Sequence, residues 1–495
     1  MKYLLQSLFV MLFITILVNP VYTDDPRLDD YDAFIHTVIE DWKAPGMAVA
    51  IVKDGELIYG KGFGYRNIEN KQPITAQSLF GIASTSKAFT TTAIAMLVQD
   101  GLLEWDKPVR DYLPDFRMSD PYITEHITVR DLVTHRSGLP RHDRVWLGTP
   151  FTREELVEKI QYLDFSRGLR ETYQYNNLLY VTAGRVIEAV TGTSWENFVE
   201  RRILTPLGMT GTNFSVTDMQ LADDFAQAYT INDAGLRIAP FRNVDALGPA
   251  GSINSNISDM AKWVQFNLNR GIVMLDTLLA PRYIDELHEP WVVAARSTDD
   301  EELSFVNYGL GWRISAYQGH RIVYHGGAIG AYRTLVTLLP DQNIGIVSIT
   351  NYNRAQVNRI ATYNAIDRLL DLEKIDWNTR LQERISEPRE PDCHDSPRLT
   401  HELHVYTGIF EHPAYGLIEI KNSENQLTVT RYGETSILEH CKFNTFRRER
   451  GYWGAFSSGT RFTFVVNQED EIDRVLIPLE SSVDDIIFKR THEVN

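Results

Sequence analysis

The chain has 495 residues, 43% of them hydrophobic, and sets 49 lysines and arginines against 66 aspartates and glutamates for a formal charge of -17. That length allows two or three domains and a large core, while the acidic balance excludes nucleic acid and anionic membranes as natural partners, since like charges repel. The acidic residues are scattered as on a solvated surface, and no His/Cys cluster has metal-ligand spacing, so neither a metal nor another cofactor is expected.

Met1-Lys2 lead an apolar run from Leu4 to Val18, followed by Pro20 and by Val21-Tyr22-Thr23 ahead of Asp24-Asp25. The run is shorter than the roughly 20 residues of a membrane span, so residues 1–23 read as a secretory signal cleaved near Thr23. Losing Lys2 with it takes the charge from -17 to -18. The expected protein is secreted, extracellular and free of the membrane after cleavage.

Residues 24–372 read as one α/β (α+β) text. Met47 to Tyr59 predicts a hairpin, with Val49, Ile51 and Leu57 flanking an Asp54-Gly55 turn. Helical signals follow at 85–100, at 128–135 opened by Thr128, and from Asn177 to Val190 ahead of Gly192. Thr193-Ser194-Trp195-Glu196 has the spacing of a capping box. Strand signals return in Arg321–Tyr324, Tyr332–Leu339 and Ile344–Thr350. Strands early and late with helices between predict an antiparallel sheet closed by both ends of the domain and covered by a helical middle.

Residues 373–400 carry few large apolar groups and three prolines, and read as a linker. Residues 401–495 show short alternating strands at Leu417–Ile420, Leu427–Thr430, Phe462–Val466 and Arg474–Pro478, which predict a small β-barrel or sandwich. Such a module is placed to lend a loop to a neighbouring cleft. The two cysteines, Cys393 and Cys441, fit either one bridge from linker to module or two free thiols.

Chemistry concentrates at three places. Ser84-Thr85-Ser86-Lys87 opens an apolar helical stretch running through Phe89, Ala93, Met96 and Leu97 to Gly101. Positions i and i+3 share a helix face, so the Lys87 amine reaches the Ser84 hydroxyl. Desolvation at the head of so apolar a helix lowers an amine's pKa and makes it a base, which suggests acyl transfer through a serine ester. The plain alternative is a serine cap followed by a solvated lysine. Tyr175-Asn176-Asn177 offers a phenol and a carboxamide two positions apart, or simply a helix cap. His325-Gly326-Gly327, after a strand, offers a close approach for a substrate backbone and a free amide, or simply a Gly-Gly turn.

The order Ser-x-x-Lys, Tyr-x-Asn, His-Gly-Gly resembles the serine β-lactamase and penicillin-binding-protein superfamily, in its class C-like (peptidase S12 type) branch. Ile127-Thr128-Val129-Arg130, Thr134 to Pro140, Pro206 to Met209, Pro249-Ala250-Gly251 and Tyr308 to Trp312 add to the likeness over roughly residues 30–372. Tyr406-Thr407-Gly408 and Pro413 to Gly416 resemble the lipocalin-like domain often appended to such enzymes. The resemblance implies a β-lactamase/transpeptidase-like fold with Ser84 as acyl nucleophile and Lys87 as its neutral partner. It gives Tyr175 the proton transfer to the leaving group, Asn177 a hydrogen bond to the acyl side chain, and His325 the place of the usual lysine. The oxyanion would lie between the amides of Ser84 and Ala328, beside Gly326 and Gly327.

Histidine in place of lysine removes a permanent cation, because a histidine is mostly uncharged near neutral pH. That favours a peptidase, amidase or esterase over a true β-lactamase, with a small peptide, amide or ester as substrate. The competing expectation is a non-catalytic extracellular matrix protein, for example of a mineralised matrix, that keeps the fold for binding. Asn213 and Asn256 head sequons and are candidates for glycans, with helix capping the alternative at Asn256. The sequence leaves the oligomeric state open.

Overall fold

The computed structural model describes residues 25–232, 235–385, 399–449 and 456–491. Its centre is a nine-stranded antiparallel sheet in the order Val292–Ala295, Val306–Tyr308, Arg313–Tyr317, His320–Ile329, Tyr332–Leu339, Ile344–Thr350, Gly46–Lys53, Glu56–Asn67 and Gln72–Pro73. The first long strand of the sheet in chain order thus pairs with the sheet's last, Met47 opposite Thr350 and Lys53 opposite Ile344. This is the closure by both ends of the domain that the distribution of strand signals predicts, and the Asp54-Gly55 turn joins the hairpin as expected.

Period-2 side-chain alternation explains the layers. Met47, Val49 and Ile51 of the strand Gly46–Lys53 belong to a core shared with the helices Tyr31–Asp41 and Gln356–Leu369. Ala48, Ala50 and Val52 face the opposite core, which contains the helices Ser86–Gln99, Asn177–Thr191 and Ile257–Leu268. Small residues on that second face let a helix lie close. A Cβ on Gly345 would stand 2.1 Å from Val264 Cγ1, which real atoms do not tolerate.

Two local expectations change. The helix after Gly192 is capped by Ser194, one residue later than the capping-box spacing implies, and Ser194 Oγ accepts from the Asn197 amide. Glu196 instead pairs with Arg153, a charged partner that a local pattern does not reveal. Within the stretch read as linker, Trp377–Glu383 forms a helix capped by Asp376. Trp377 and Leu381, four apart and on one face, are buried, and Trp377 Nε1 donates to Tyr317 Oη at 3.0 Å.

The C-terminal strands, from Gly408–His412 to Ile486–Arg490, close an eight-stranded antiparallel barrel in sequential order. Its interior is filled by rings, among them Tyr406, Phe410, Phe446 and Phe464 packed edge to face. Cys441 is disulfide-bonded. Cys393 and the signal-like residues 1–23 lie outside the described residues. Asn256 is the cap rather than an open sequon: it is 4% exposed, its Oδ1 accepts from the Asp259 amide at 2.9 Å, and its Nδ2 packs against Gly211. Asn213 is half-buried and its Oδ1 accepts from Asn254 Nδ2.

Candidate active site

Ser84 stands on a single 3-10 turn, Ala83–Thr85, between the short strand Phe80–Gly81 and the helix Ser86–Gln99. Ala83 takes a left-handed backbone conformation, with φ of 51°, which costs a non-glycine residue on the order of 1 kcal/mol. That bend turns Ser84 into a cleft of about 1140 Å³, which Tyr175, Asn177 and His325 also line. The helix it leads into is buried from Ser86 to Leu97. Its Phe89 stacks on Trp263 at 3.9 Å, and its Thr90 and Thr91 hydroxyls donate to the carbonyls of Pro249 and Leu310.

Lys87 is completely buried. Its Nζ lies 3.2 Å from Ser84 Oγ, 2.8 Å from Asn177 Oδ1 and 2.7 Å from the Ala250 carbonyl oxygen. None of these is a carboxylate. Burial, with the nearby Arg141 cation, holds its pKa well below that of a free lysine, and Asp143 offsets this only in part. The Asn177 amide is fixed from its other end, because its Nδ2 donates to Asp143 Oδ1 at 2.9 Å and a carboxylate can only accept.

Tyr-x-Asn works as two devices at once. The middle residue, Asn176, is the helix cap: its Oδ1 accepts from the Leu179 amide, and its Nδ2 donates to the Pro140 carbonyl. The two flanking side chains are thereby left to the cleft. Tyr175 lines the cleft beside Ser84, and burial pushes its phenol above the ordinary tyrosine range, so it stays protonated. Its ring lies between His135, 4.2 Å between centroids, and the Arg141 guanidinium, 4.8 Å above its centre.

His325 sits in the strand His320–Ile329, whose pairing with Arg313–Tyr317 ends at Tyr324, so His325 to Ile329 have a neighbour on one side only. That open edge faces the cleft, and Gly326 and Ala328 are its exposed residues. Gly327 serves packing instead of substrate approach: a Cβ there would stand 2.1 Å from the Ile82 carbonyl oxygen, in the turn that carries Ser84. Nδ1 of His325 contacts the Gly326 carbonyl at 2.8 Å and must carry the proton, so Nε2 accepts from the Tyr308 hydroxyl at 3.1 Å. Burial, with the Arg313 cation nearby, pushes its pKa well down, and the ring is neutral.

Three contributors escaped sequence reasoning. Arg313, paired across the sheet with Tyr324, lines the cleft beside His325. Its guanidinium donates to Tyr173 Oη at 3.2 Å and lies over the Tyr173 and Tyr308 rings, with no carboxylate partner among the described residues. A cation therefore stands near the position from which histidine removes one. Arg141 and Asp143 form an ion pair at 2.6 Å immediately after the Ser137 to Pro140 motif, and that adjacency was their only sequence signal. Phe456, Ser457 and Ser458 bring the barrel to the cleft, as the loop-lending expectation anticipates.

A family model described as Beta-lactamase matches residues 32–370, and one described as a domain of unknown function, DUF3471, matches residues 395–490. Among curated proteins, the unguisins hydrolase ungD' of Aspergillus campestris is 30% identical over 431 residues, covering 80% of this chain and 78% of that one. Protein flp of Staphylococcus aureus is 26% identical over 345 residues, covering 67% and 64%. Among solved structures, the octameric penicillin-binding protein homologue from Pyrococcus abyssi aligns with a TM-score of 0.62 at 23% identity, over 93% of this chain and 100% of that one. FmtA from Staphylococcus aureus aligns at 0.56 and 23%, over 72% and 89%.

Proposed function

The chain belongs to the β-lactamase family, and from that premise we propose that it is a secreted serine hydrolase of the class C-like branch, cleaving amide, peptide or ester bonds through an acyl-enzyme on Ser84. The observation that carries this reading is the set of three oxygens around a buried Lys87 that has no counter-ion among the described residues. A neutral amine has two N–H groups and one lone pair. Asn177 Oδ1 and the Ala250 carbonyl only accept, so they take the two N–H groups and leave the lone pair for the Ser84 hydroxyl.

In this mechanism Lys87 takes the Ser84 proton as Oγ attacks the scissile carbonyl, and the negative charge collects on the former carbonyl oxygen. The amides of Ser84 and Ala328 stabilise that oxygen, each such donor being worth about 3 kcal/mol of barrier. Tyr175, protonated and lining the cleft beside Ser84, gives its proton to the leaving group and recovers one from Lys87. Water then enters, loses a proton by the same route and releases the acyl group, restoring Ser84. Positioned proton transfer of this kind contributes about 10²–10⁴-fold.

Arg313 gives the substrate a direction. A half-buried guanidinium with no carboxylate partner among the described residues suits a substrate carboxylate close to the scissile bond. Arg313→Met is expected to raise KM about 10–100-fold for substrates carrying such a carboxylate. For neutral esters kcat/KM should change little. Equal losses on both classes would remove Arg313 from substrate recognition.

The disulfide-bonded state of Cys441 supports the extracellular reading, since such bonds persist in oxidising compartments. No observation favours the non-catalytic matrix alternative. A protein kept only for binding has no use for a buried, unpaired amine, which is costly to hold. The test is a panel of an activated ester, a D-amino-acid amide and a cephalosporin, with acyl-adduct mass spectrometry. Turnover with the acyl mass on the peptide containing Ser84 is expected, and no turnover and no adduct across the panel would defeat the proposal.

A further inference from the structure

The cleft-side segment 141–147 is held from two directions. On its inner side, Arg141 covers the Tyr175 ring, and Asp143 accepts from Asn177 Nδ2 and from Trp146 Nε1. On its outer side, four hydrogen bonds reach residues 142–144 from the barrel. Glu480 Oε2 accepts from the His142 amide at 2.9 Å, and Arg431 donates to the Arg144 carbonyl at 2.8 Å. Arg144 donates to Ser457 Oγ. The His142 ring is sealed between the two units: Nε2 contacts the Asp164 carbonyl at 2.9 Å and so carries the proton, leaving Nδ1 to accept from the Tyr415 hydroxyl at 2.7 Å.

His142 adopts φ of 46°, a left-handed conformation unusual for a residue with a side chain, and both His142 and Tyr415 are fully buried. A strained backbone persists where its surroundings over-determine it, and here the surroundings are largely barrel residues. Arg431, 1% exposed, donates to the Tyr415 carbonyl at 2.8 Å as well as to Arg144, so the grip on the segment is tied to the barrel's own wall. The residues gripped from outside alternate with those that touch the proposed catalytic groups. Moving His142 therefore moves Arg141 and Asp143 on either side of it.

We propose that the C-terminal barrel is a working part of the catalytic centre, in which Tyr415, Arg431 and Glu480 act as positioning residues that clamp segment 141–147 so that Arg141 and Asp143 hold Tyr175 and Asn177. This rests on the hydrolase reading of Tyr175 and Asn177. It gives the barrel a task that its ring-filled interior does not suggest.

The test uses the full-length protein and Tyr415→Phe, which removes one hydroxyl and keeps the ring in place. The expected result is a fall in kcat of roughly fivefold or more on a p-nitrophenyl ester with KM little changed. Fluorophosphonate labelling of Ser84 should slow in proportion, and amide hydrogen exchange should quicken both at 141–147 and at 173–180. Glu480→Ala, at a half-buried position outside the barrel's interior, loosens the same grip and should give a smaller change of the same kind, so the test stands even if Tyr415→Phe folds poorly. Wild-type labelling kinetics and unchanged exchange at 173–180 in both variants would overturn the clamp alone. A wild-type protein that never labels at Ser84 would overturn the hydrolase reading and the clamp with it.

Discussion

Ser84→Ala is expected to abolish labelling by a fluorophosphonate probe and to lower turnover by about 10³–10⁶-fold, the range seen when a covalent nucleophile is removed and only binding and oxyanion contacts are left. The size of the loss follows from the geometry. Lys87 hydrogen-bonds the Ser84 hydroxyl and Tyr175 lines the cleft beside it, so without that hydroxyl the captured proton has no source and the acyl group has no acceptor. The substitution deletes one oxygen from a side chain that lines the open cleft, and the thermal midpoint should stay close to that of the wild type. Labelling that persists in the folded variant, read by intact-mass spectrometry, would place the nucleophile elsewhere.

The second large effect is expected at Lys87. Replacement by methionine preserves volume and removes the base, and kcat/KM should drop about 10²–10⁴-fold. The pH behaviour of the wild type separates this role from a structural one. Burial lowers the folded-state pKa of Lys87 well below its ordinary value, which favours the neutral amine that the proposed mechanism needs. As pH falls through that lowered pKa the amine protonates, the lone pair is lost, and kcat/KM declines on the acidic limb. Stability carries the matching sign. Between the lowered pKa and the ordinary value near 10.4, the unfolded chain binds a proton at Lys87 that the folded chain does not, so this group makes folding more favourable as pH rises through the window. Lys87→Met removes that component. Its stability relative to the wild type should therefore decline as pH rises, a comparison measured by thermal or denaturant unfolding across pH. An acidic limb that survives unchanged in the residual activity of Lys87→Met would assign the titration to another group.

The candidate site is a place where stability is traded for chemistry. Lys87, with no counter-ion among the described residues, and Ala83 in a left-handed conformation are both unfavourable in isolation, and both sit against Ser84. His135 extends the pattern. It too is left-handed, buried and held neutral by burial, and its Nδ1 accepts from the Asn176 amide. Several rings, among them those of Tyr173, Tyr175, Tyr180 and Tyr308, pack around it. This aromatic floor excludes water from behind Tyr175, which strengthens every electrostatic contact at the serine.

Features set by short-range rules were legible in the chain alone. Strand-forming residues and the Asp54-Gly55 turn marked the hairpin and the strands Tyr332–Leu339 and Ile344–Thr350, and the Ser84 to Lys87 spacing put hydroxyl and amine within reach. The helix from Asn177 runs to its Gly192 cap as its pattern implies. The linker reading failed at Trp377 because composition was averaged over residues whose two apolar members share one helix face. Folding alone decided what depends on residues far apart in the chain. The Ala250 carbonyl reaches Lys87 across 163 positions, and Tyr415 meets His142 across 273. Arg313 enters the cleft because a strand stops pairing, and the barrel reaches the cleft because its loops pack over segment 141–147. Local periodicity records which faces a segment buries but carries no address for the partner that covers them. The identity of the groups around the serine was therefore written in the sequence, while their protonation states and the second unit that holds them in place came only with tertiary packing.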